Sequence, residues 1–208
     1  MFAIWGLRHR FHPRWRSYLG LGELPESRGV PGTHNLKLLN QTIRNLKSNK
    51  FPLFLPVFDK VSDNRKKYRR KVNKADLIIL EGWCVGSKPI DPNYLNRNIN
   101  DLEKIEDSNL CWRTAYNKAL HDYQKLFKKF SYFIFIKIPN WKFVIDWKYK
   151  QELGLRSSNS NNHLKKKLYR FIQFYEKLSK WMFLTSPSDC NVLVTLDKKQ
   201  TAKKITYK

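Results

Sequence analysis

Several residues in this chain have types and spacings suited to handling an anion. His34 ends the loop R-G-V-P-G-T-H over residues 28–34 and opens an amphipathic stretch. That places it at a helix start, where backbone N–H groups attract negative charge; an isolated loop histidine can equally be structural. Asp59 and Lys60 close an apolar run, with Asp63 and Arg65 just beyond. Opposite charges at a strand end form either a surface salt bridge or a clamp on a polar substrate. Glu81 ends the run Leu77-Ile-Ile-Leu80 and is followed by Gly82, Trp83 and Gly86. A short apolar run closed by a turn signal predicts a buried parallel strand, and open α/β sheets bind ligands at the carboxyl ends of their strands. Gly82 is expected to make the sharp turn that follows. Lys148, Lys150 and Arg156 sit among aromatic residues over 141–156. That mixture suits a lid over an anionic ligand, or else a solvated helix face. Lys148 and Arg156 are eight positions apart, about two helical turns, so they share a face.

Metal and disulfide chemistry are not expected. The three cysteines, Cys84, Cys111 and Cys190, are odd in number and far apart, with no C-x-x-C. They argue against a disulfide framework or zinc cluster and fit reducing cytoplasm, which is the expected location. His9 and His12 form an H-x-x-H without further ligands and read as surface residues.

The elements that must position these groups follow from periodicity. Leu36, Leu39, Ile43 and Leu46 repeat at helical spacing behind the capping candidates Thr33 and Asn35. The run 51–58 is apolar but broken by prolines, which suits an edge strand. Residues 90–109 read as a polar connection. A helix is predicted over 110–130, with Tyr116, Leu120, Tyr123, Phe127 and Phe130 along its packing face. A buried strand follows at 132–138, then the helix 141–156, the polar loop 157–162, a helix over 164–182 and a strand over 191–196. Residues from 197 onward read as a loose basic tail. Strands alternating with helices give an α/β fold with a parallel sheet. The domain reading is an atypical segment 1–27, a main domain 28–200 with a lid near 141–162, and a basic tail 201–208.

The 208 residues carry 41 Lys and Arg against 17 Asp and Glu, a formal charge of +24. Such a balance favours anionic partners. The hydrophobic share of 41% is that of a globular chain, and no apolar run reaches the roughly 18 residues of a membrane span. No signal peptide is expected. Basic residues cluster at R-K-K-Y-R-R-K over 65–71 and at 165–167 but are otherwise spread along the chain. The spread favours a phosphate-handling protein with an inflated lysine count over a dedicated nucleic-acid binder, so nucleic acid is not the expected partner.

Four blocks together resemble the D-glycerate 3-kinases, P-loop kinases related to uridine kinase and phosphoribulokinase. R-G-V-P-G-T-H-N over 28–35 resembles that family's R-G-x-x-G-[ST]-H-D, with Asn35 in place of Asp. F-D-K over 58–60 with Arg65 is similar to its [FY]-D-K segment and later arginine. L-E-G-W-C-V-G-S-K-P-I over 80–90 is similar to E-G-W-x-x-G-x-x-P. W-K-Y-K-Q-E over 147–152 through Arg156 resembles the lid W-R-x-x-[AQ]-E…[LM]-R, with Lys148 replacing Arg. The resemblance implies a P-loop NTPase-like parallel sheet flanked by helices. It also implies ATP with Mg²⁺, and phosphorylation of D-glycerate or a similar small hydroxy acid. It places Arg28, Gly32, Thr33, His34, Asp59, Lys60, Arg65 and Trp83 on the substrate side. Glu81, Lys60 and Asp59 would serve catalysis, and Lys148 and Arg156 the nucleotide. No side chain holds metal directly; Mg²⁺ would come with the nucleotide, near Glu81.

One block of the family is not in these residues. No glycine is followed five places on by Gly-Lys, and D-D-F-Y is absent. In a P-loop the backbone N–H groups cradle phosphates, and Lys and Ser/Thr hold the terminal phosphates and Mg²⁺. The expectation is therefore an incomplete sheet lacking the P-loop strand, in a chain that is the carboxyl-terminal portion of such a kinase. Phe2 to Trp5 is the only apolar run able to fill the gap. The alternatives are a non-catalytic remnant or subunit of a kinase, and a basic nucleic-acid-binding module.

Overall fold

A computed structural model describes residues 29–59, 64–156 and 162–208. The chain divides into two compact units, Met1–Val85 with Ala115–Phe127, and Gly86–Thr114 with Lys128–Lys208.

In the first unit, helix α1 (Leu36–Lys47) forms where the periodicity requires it. Asn35 caps it by accepting from the Leu38 N–H at 3.0 Å, Arg44 and Lys47 sit in its last turn, and Leu39, Ile43 and Leu46 are buried. Strands β1 (Leu53–Asp59) and β2 (Asn64–Val72) then pair antiparallel, Leu53 opposite Val72 and Asp59 opposite Asn64, with a register shift between Pro56 and Phe58. The proline-broken run is thus a strand of a two-stranded ribbon. The basic run, for which the sequence suggested no element, is its partner.

The predicted strand at 77–81 is corrected. The segment is unpaired among the described residues, and Leu77 and Ile79 face solvent at 70% and 41% exposure while Ile78 and Leu80 are half-buried. An apolar run becomes a buried strand only if neighbours pair its edges and cover both faces, and among the described residues its edges are unpaired and Leu77 and Ile79 are uncovered. The turn residue is corrected as well. Gly86, not Gly82, takes the left-handed conformation, at φ +80°, and a Cβ there would lie 2.4 Å from the Phe133 ring.

In the second unit, residues 90–109 are more structured than a polar connection. Helix α2 (Pro92–Asn96) starts on Asp91, whose carboxylate accepts from the N–H groups of Asn93 and Tyr94. A π-helical turn follows at Leu102–Glu106. Helix α3 (Cys111–Phe127) begins on Asp107, which accepts from the N–H of Trp112 at 2.7 Å and of Arg113 at 3.2 Å. Arg113, Asp107, Glu103 and Lys177 form a buried ionic quartet, each at most 2% exposed. Arg113 Nε donates to Asp107 at 2.8 Å, and Lys177 Nζ lies 3.2 Å from Glu103. The cations are further satisfied by main-chain carbonyls: Arg113 donates to those of Leu95, Glu103 and Asp107, Lys177 to those of Tyr94 and Arg97. Glu103 accepts from the Ile99 N–H at 3.0 Å. Buried charge persists only when paired and hydrogen-bonded in this way.

Strands β3 (Ile134–Lys137), β4 (Val192–Leu196) and β5 (Ala202–Tyr207) form the sheet in that order. The β3–β4 pair is parallel, as expected of an α/β fold, and β5 joins β4 antiparallel. The expected loose tail is therefore a ladder strand, closed by the Lys208 N–H on the Asn191 carbonyl at 2.9 Å. Helices α4 (Phe143–Arg156) and α5 (Asn162–Asp189) lie in the same unit. Met182 of α5 packs on Phe135 and Cys190, flanked by Phe133, Phe183 and Leu193. Ile134 and Ile136, on the other face of β3, are exposed. No helix among the described residues is long and apolar enough to cross a membrane.

Candidate functional site

The loop before α1 is built around one hydroxyl. Thr33 Oγ1 donates to the Val30 carbonyl at 2.8 Å and accepts the Gly29 N–H at 2.9 Å, while the Thr33 N–H meets the same Val30 carbonyl at 3.1 Å. Gly29 and Gly32 have φ of 105° and 92°, the left-handed region that favours glycine. Gly32 also passes close to α3, where a Cβ would sit 3.3 Å from that of Ala119. The loop's glycines and its threonine are thus geometric requirements of one tight turn.

A second hydroxyl aims the next residue. Tyr123, on α3, accepts the Gly32 N–H at 3.1 Å and lies 2.7 Å from Nδ1 of His34. The two rings meet edge to face at 5.8 Å. Burial, with the nearby Cys84 adding to it, pushes the Tyr123 phenol far above its ordinary range. The phenol therefore stays neutral and keeps a proton to donate. Where that proton goes to Nδ1, a neutral His34 carries its hydrogen on Nε2, a donor suited to a carboxylate or hydroxyl oxygen.

The structure brings Gly32, Thr33 and His34 together on Tyr123, with Cys84 of the 83–86 turn close by. Trp83 in that turn is half-buried, and Glu81 before it is exposed. Arg28 and Lys60 lie outside the described residues. Asp59 and Arg65 are placed only as strand positions near the ribbon tip, opposite Asn64 and Phe58, and Arg156 only as the last residue of α4. Lys148 forms an ion pair with Glu152 at 2.8 Å and donates to Gln151 at 3.0 Å. Sequence reasoning missed Tyr123 as a site residue by counting it with the packing stripe of α3. The available signal was its hydroxyl, since a buried tyrosine O–H usually finds a partner.

No protein-family model matches the chain. Among curated proteins it is 25% identical over 163 residues to the uncharacterized kinase mug58 of Schizosaccharomyces pombe, covering 73% of this chain and 57% of that protein. It is 26% identical over 170 residues to the probable ATP-dependent kinase TDA10 of Saccharomyces cerevisiae, covering 74% and 54%. It is also 26% identical over 183 residues to the chloroplastic D-glycerate 3-kinase of Arabidopsis thaliana, covering 79% and 37%. The chain is thus similar over most of its length to kinases that include a D-glycerate 3-kinase. It spans about half the length of the first two relatives and less of the third. The solved D-glycerate 3-kinase from Cryptococcus neoformans var. grubii shares the fold at a TM-score of 0.74 and 20% identity, covering 100% of this chain and 79% of that one.

The loop over 29–35 is held in one conformation by the Thr33 and Tyr123 hydroxyls. A phosphate cradle of the G-x-x-x-x-G-K type is not among the 208 residues. No group of three or more His, Cys, Asp or Glu side chains is assembled for a metal among the described residues.

Proposed function

We propose that this chain serves the phosphorylation of D-glycerate or a closely similar small hydroxy acid, and that the loop over 28–35 is its acceptor-binding element. The observation that carries the reading is the Tyr123 hydroxyl, which joins the Gly32 N–H and the His34 imidazole in one hydrogen-bonded unit. In this reading His34 donates through Nε2 to an acceptor oxygen. Arg28, Lys60 and Arg65 supply positive charge for the carboxylate, Trp83 walls the acceptor, and Asp59 and Glu81 orient its hydroxyl. The resemblance assigns Lys148 and Arg156 to the nucleotide phosphates. Bound ATP with Mg²⁺ would supply the transferable phosphoryl group and neutralise its charge. This chain's own share is to bind and orient the acceptor, since positioning is a large part of phosphoryl-transfer catalysis.

A second reading, acceptor binding without turnover, is favoured by the lack of a G-x-x-x-x-G-K element in these residues. Calorimetry with D-glycerate, and ADP release with Mg²⁺-ATP plus D-glycerate, separate the two. Binding with turnover supports the first reading and binding without turnover the second. No binding of D-glycerate, lactate or glycolate rejects both.

A further inference from the structure

Strand β2 presents six consecutive exposed residues, Lys66, Lys67, Tyr68, Arg69, Arg70 and Lys71. Successive strand residues point to opposite faces. A strand lying on a core would therefore bury every second side chain. Here Lys66, Tyr68 and Arg70 on one face and Lys67, Arg69 and Lys71 on the other all meet solvent. Val72, opposite Leu53 at the root, is the one buried residue of the ribbon among those described, and Leu53, Leu55, Pro56 and Val57 of β1 are half-buried. No ion pair among the described residues engages these five cations. Tyr68 is 60% exposed, with Lys66 Nζ 5.4 Å from its ring centroid, and Phe54 is exposed on β1 opposite Lys71.

From this geometry we propose that the β1–β2 ribbon is a binding arm for double-stranded DNA, inserted in the major groove. Cations on both faces of one strand select this partner. A membrane or an acidic protein presents one surface and engages one face of a ribbon, whereas a groove has a phosphate wall on each side. The dimensions agree. Six strand residues extend roughly 17–20 Å at about 3.3 Å each, and the major groove of B-form DNA, about 12 Å wide and 8.5 Å deep, admits a two-stranded ribbon. The major groove of A-form RNA is too narrow for side chains to read. The five cations lie on the root side of Arg65, the β2 residue that the proposed function uses, and add a second function to the chain.

The test uses the 208-residue protein, a fluorescent 20-base-pair DNA, the same duplex in RNA, and vesicles of mixed phosphatidylserine and phosphatidylcholine. Five phosphate contacts give a slope of log affinity against log salt of about −4.5, so affinity should fall about 500-fold between 50 and 200 mM salt. Lys67→Glu/Arg69→Glu/Lys71→Glu should abolish DNA binding at 100 mM salt. Lys199→Glu/Lys203→Glu/Lys204→Glu, an equal charge change at exposed positions in the second unit, should leave most of it. The glutamine versions of both triples repeat the comparison without charge reversal, with circular dichroism to verify folding. The proposal is overturned if both triples weaken binding equally, if RNA binds as tightly as DNA, or if vesicles bind and DNA does not.

Discussion

The proposed acceptor loop and the ionic quartet are both polar clusters held by long-range contacts, yet they use polarity in opposite ways. In the quartet, four charges are at most 2% exposed, and each is tied to another charge or to main chain. Their bonds stitch the π-helical turn to α2, α3 and α5. In the loop the fixing groups are neutral: a threonine hydroxyl, a phenol and main-chain amides. Neutral groups cost less to bury than ions do, so the loop holds a rigid shape while His34 stays half-buried at its edge. The buried charged cluster is therefore structural, while the groups that fix the candidate loop carry no formal charge.

The comparison breaks most sharply at Arg113. Replacing it by methionine leaves the Asp107 and Glu103 carboxylates buried short of a partner, so the chain should lose about 3–5 kcal/mol in a urea titration. D-glycerate affinity should be untouched in whatever fraction remains folded. Tyr123→Phe is expected to cost less, about 1–3 kcal/mol, because it leaves the half-buried Gly32 amide without this acceptor and removes one partner of His34. Unlike the arginine change, it should also weaken D-glycerate binding. Asn35→Ala removes only the cap of α1, about 1 kcal/mol by thermal melting.

The smallest effect is a pH dependence specific to the quartet. Burial, the largest influence, holds the Glu103 carboxyl above its ordinary 4.5 despite Lys177 and Arg113. The folded chain therefore binds this proton more tightly than the unfolded chain. The resulting stability is fully present below 4.5 and is lost as pH rises through the raised folded value. Glu103→Gln cannot titrate, so the stability of the parent relative to that variant should decline across this window. Burial pushes Lys177 down from 10.5, so its own contribution has the opposite sign, with stability rising with pH up to 10.5.

What the sequence made legible follows from range. The stripe Leu39, Ile43, Leu46 and the β3 and β4 runs are local patterns, and α1 and the parallel pair stand where those patterns put them. The loop's glycines and Thr33 were legible because a tight turn is also local. Tyr123 was not, since its partners lie 89 and 91 residues away in the sequence. The quartet was hidden for the same reason: Glu103 and Asp107 look like loop residues until α5 brings Lys177 to them. The run 77–80 erred the other way, because a strand needs partners that its own residues cannot specify. Strand β2 was masked by its charges, although Val72 and its pairing with β1 hold it in a ladder.

The central claim is that the loop over 28–35, fixed by Tyr123, binds the acceptor. Its most direct test is a D-glycerate titration of the ¹⁵N-labelled chain, followed at the amides of residues 29–35. The account predicts saturable shifts at Gly32, Thr33 and His34, lost in His34→Ala and absent with glycerol, which lacks the carboxylate. Unmoved loop amides, or shifts that persist in His34→Ala, would contradict it.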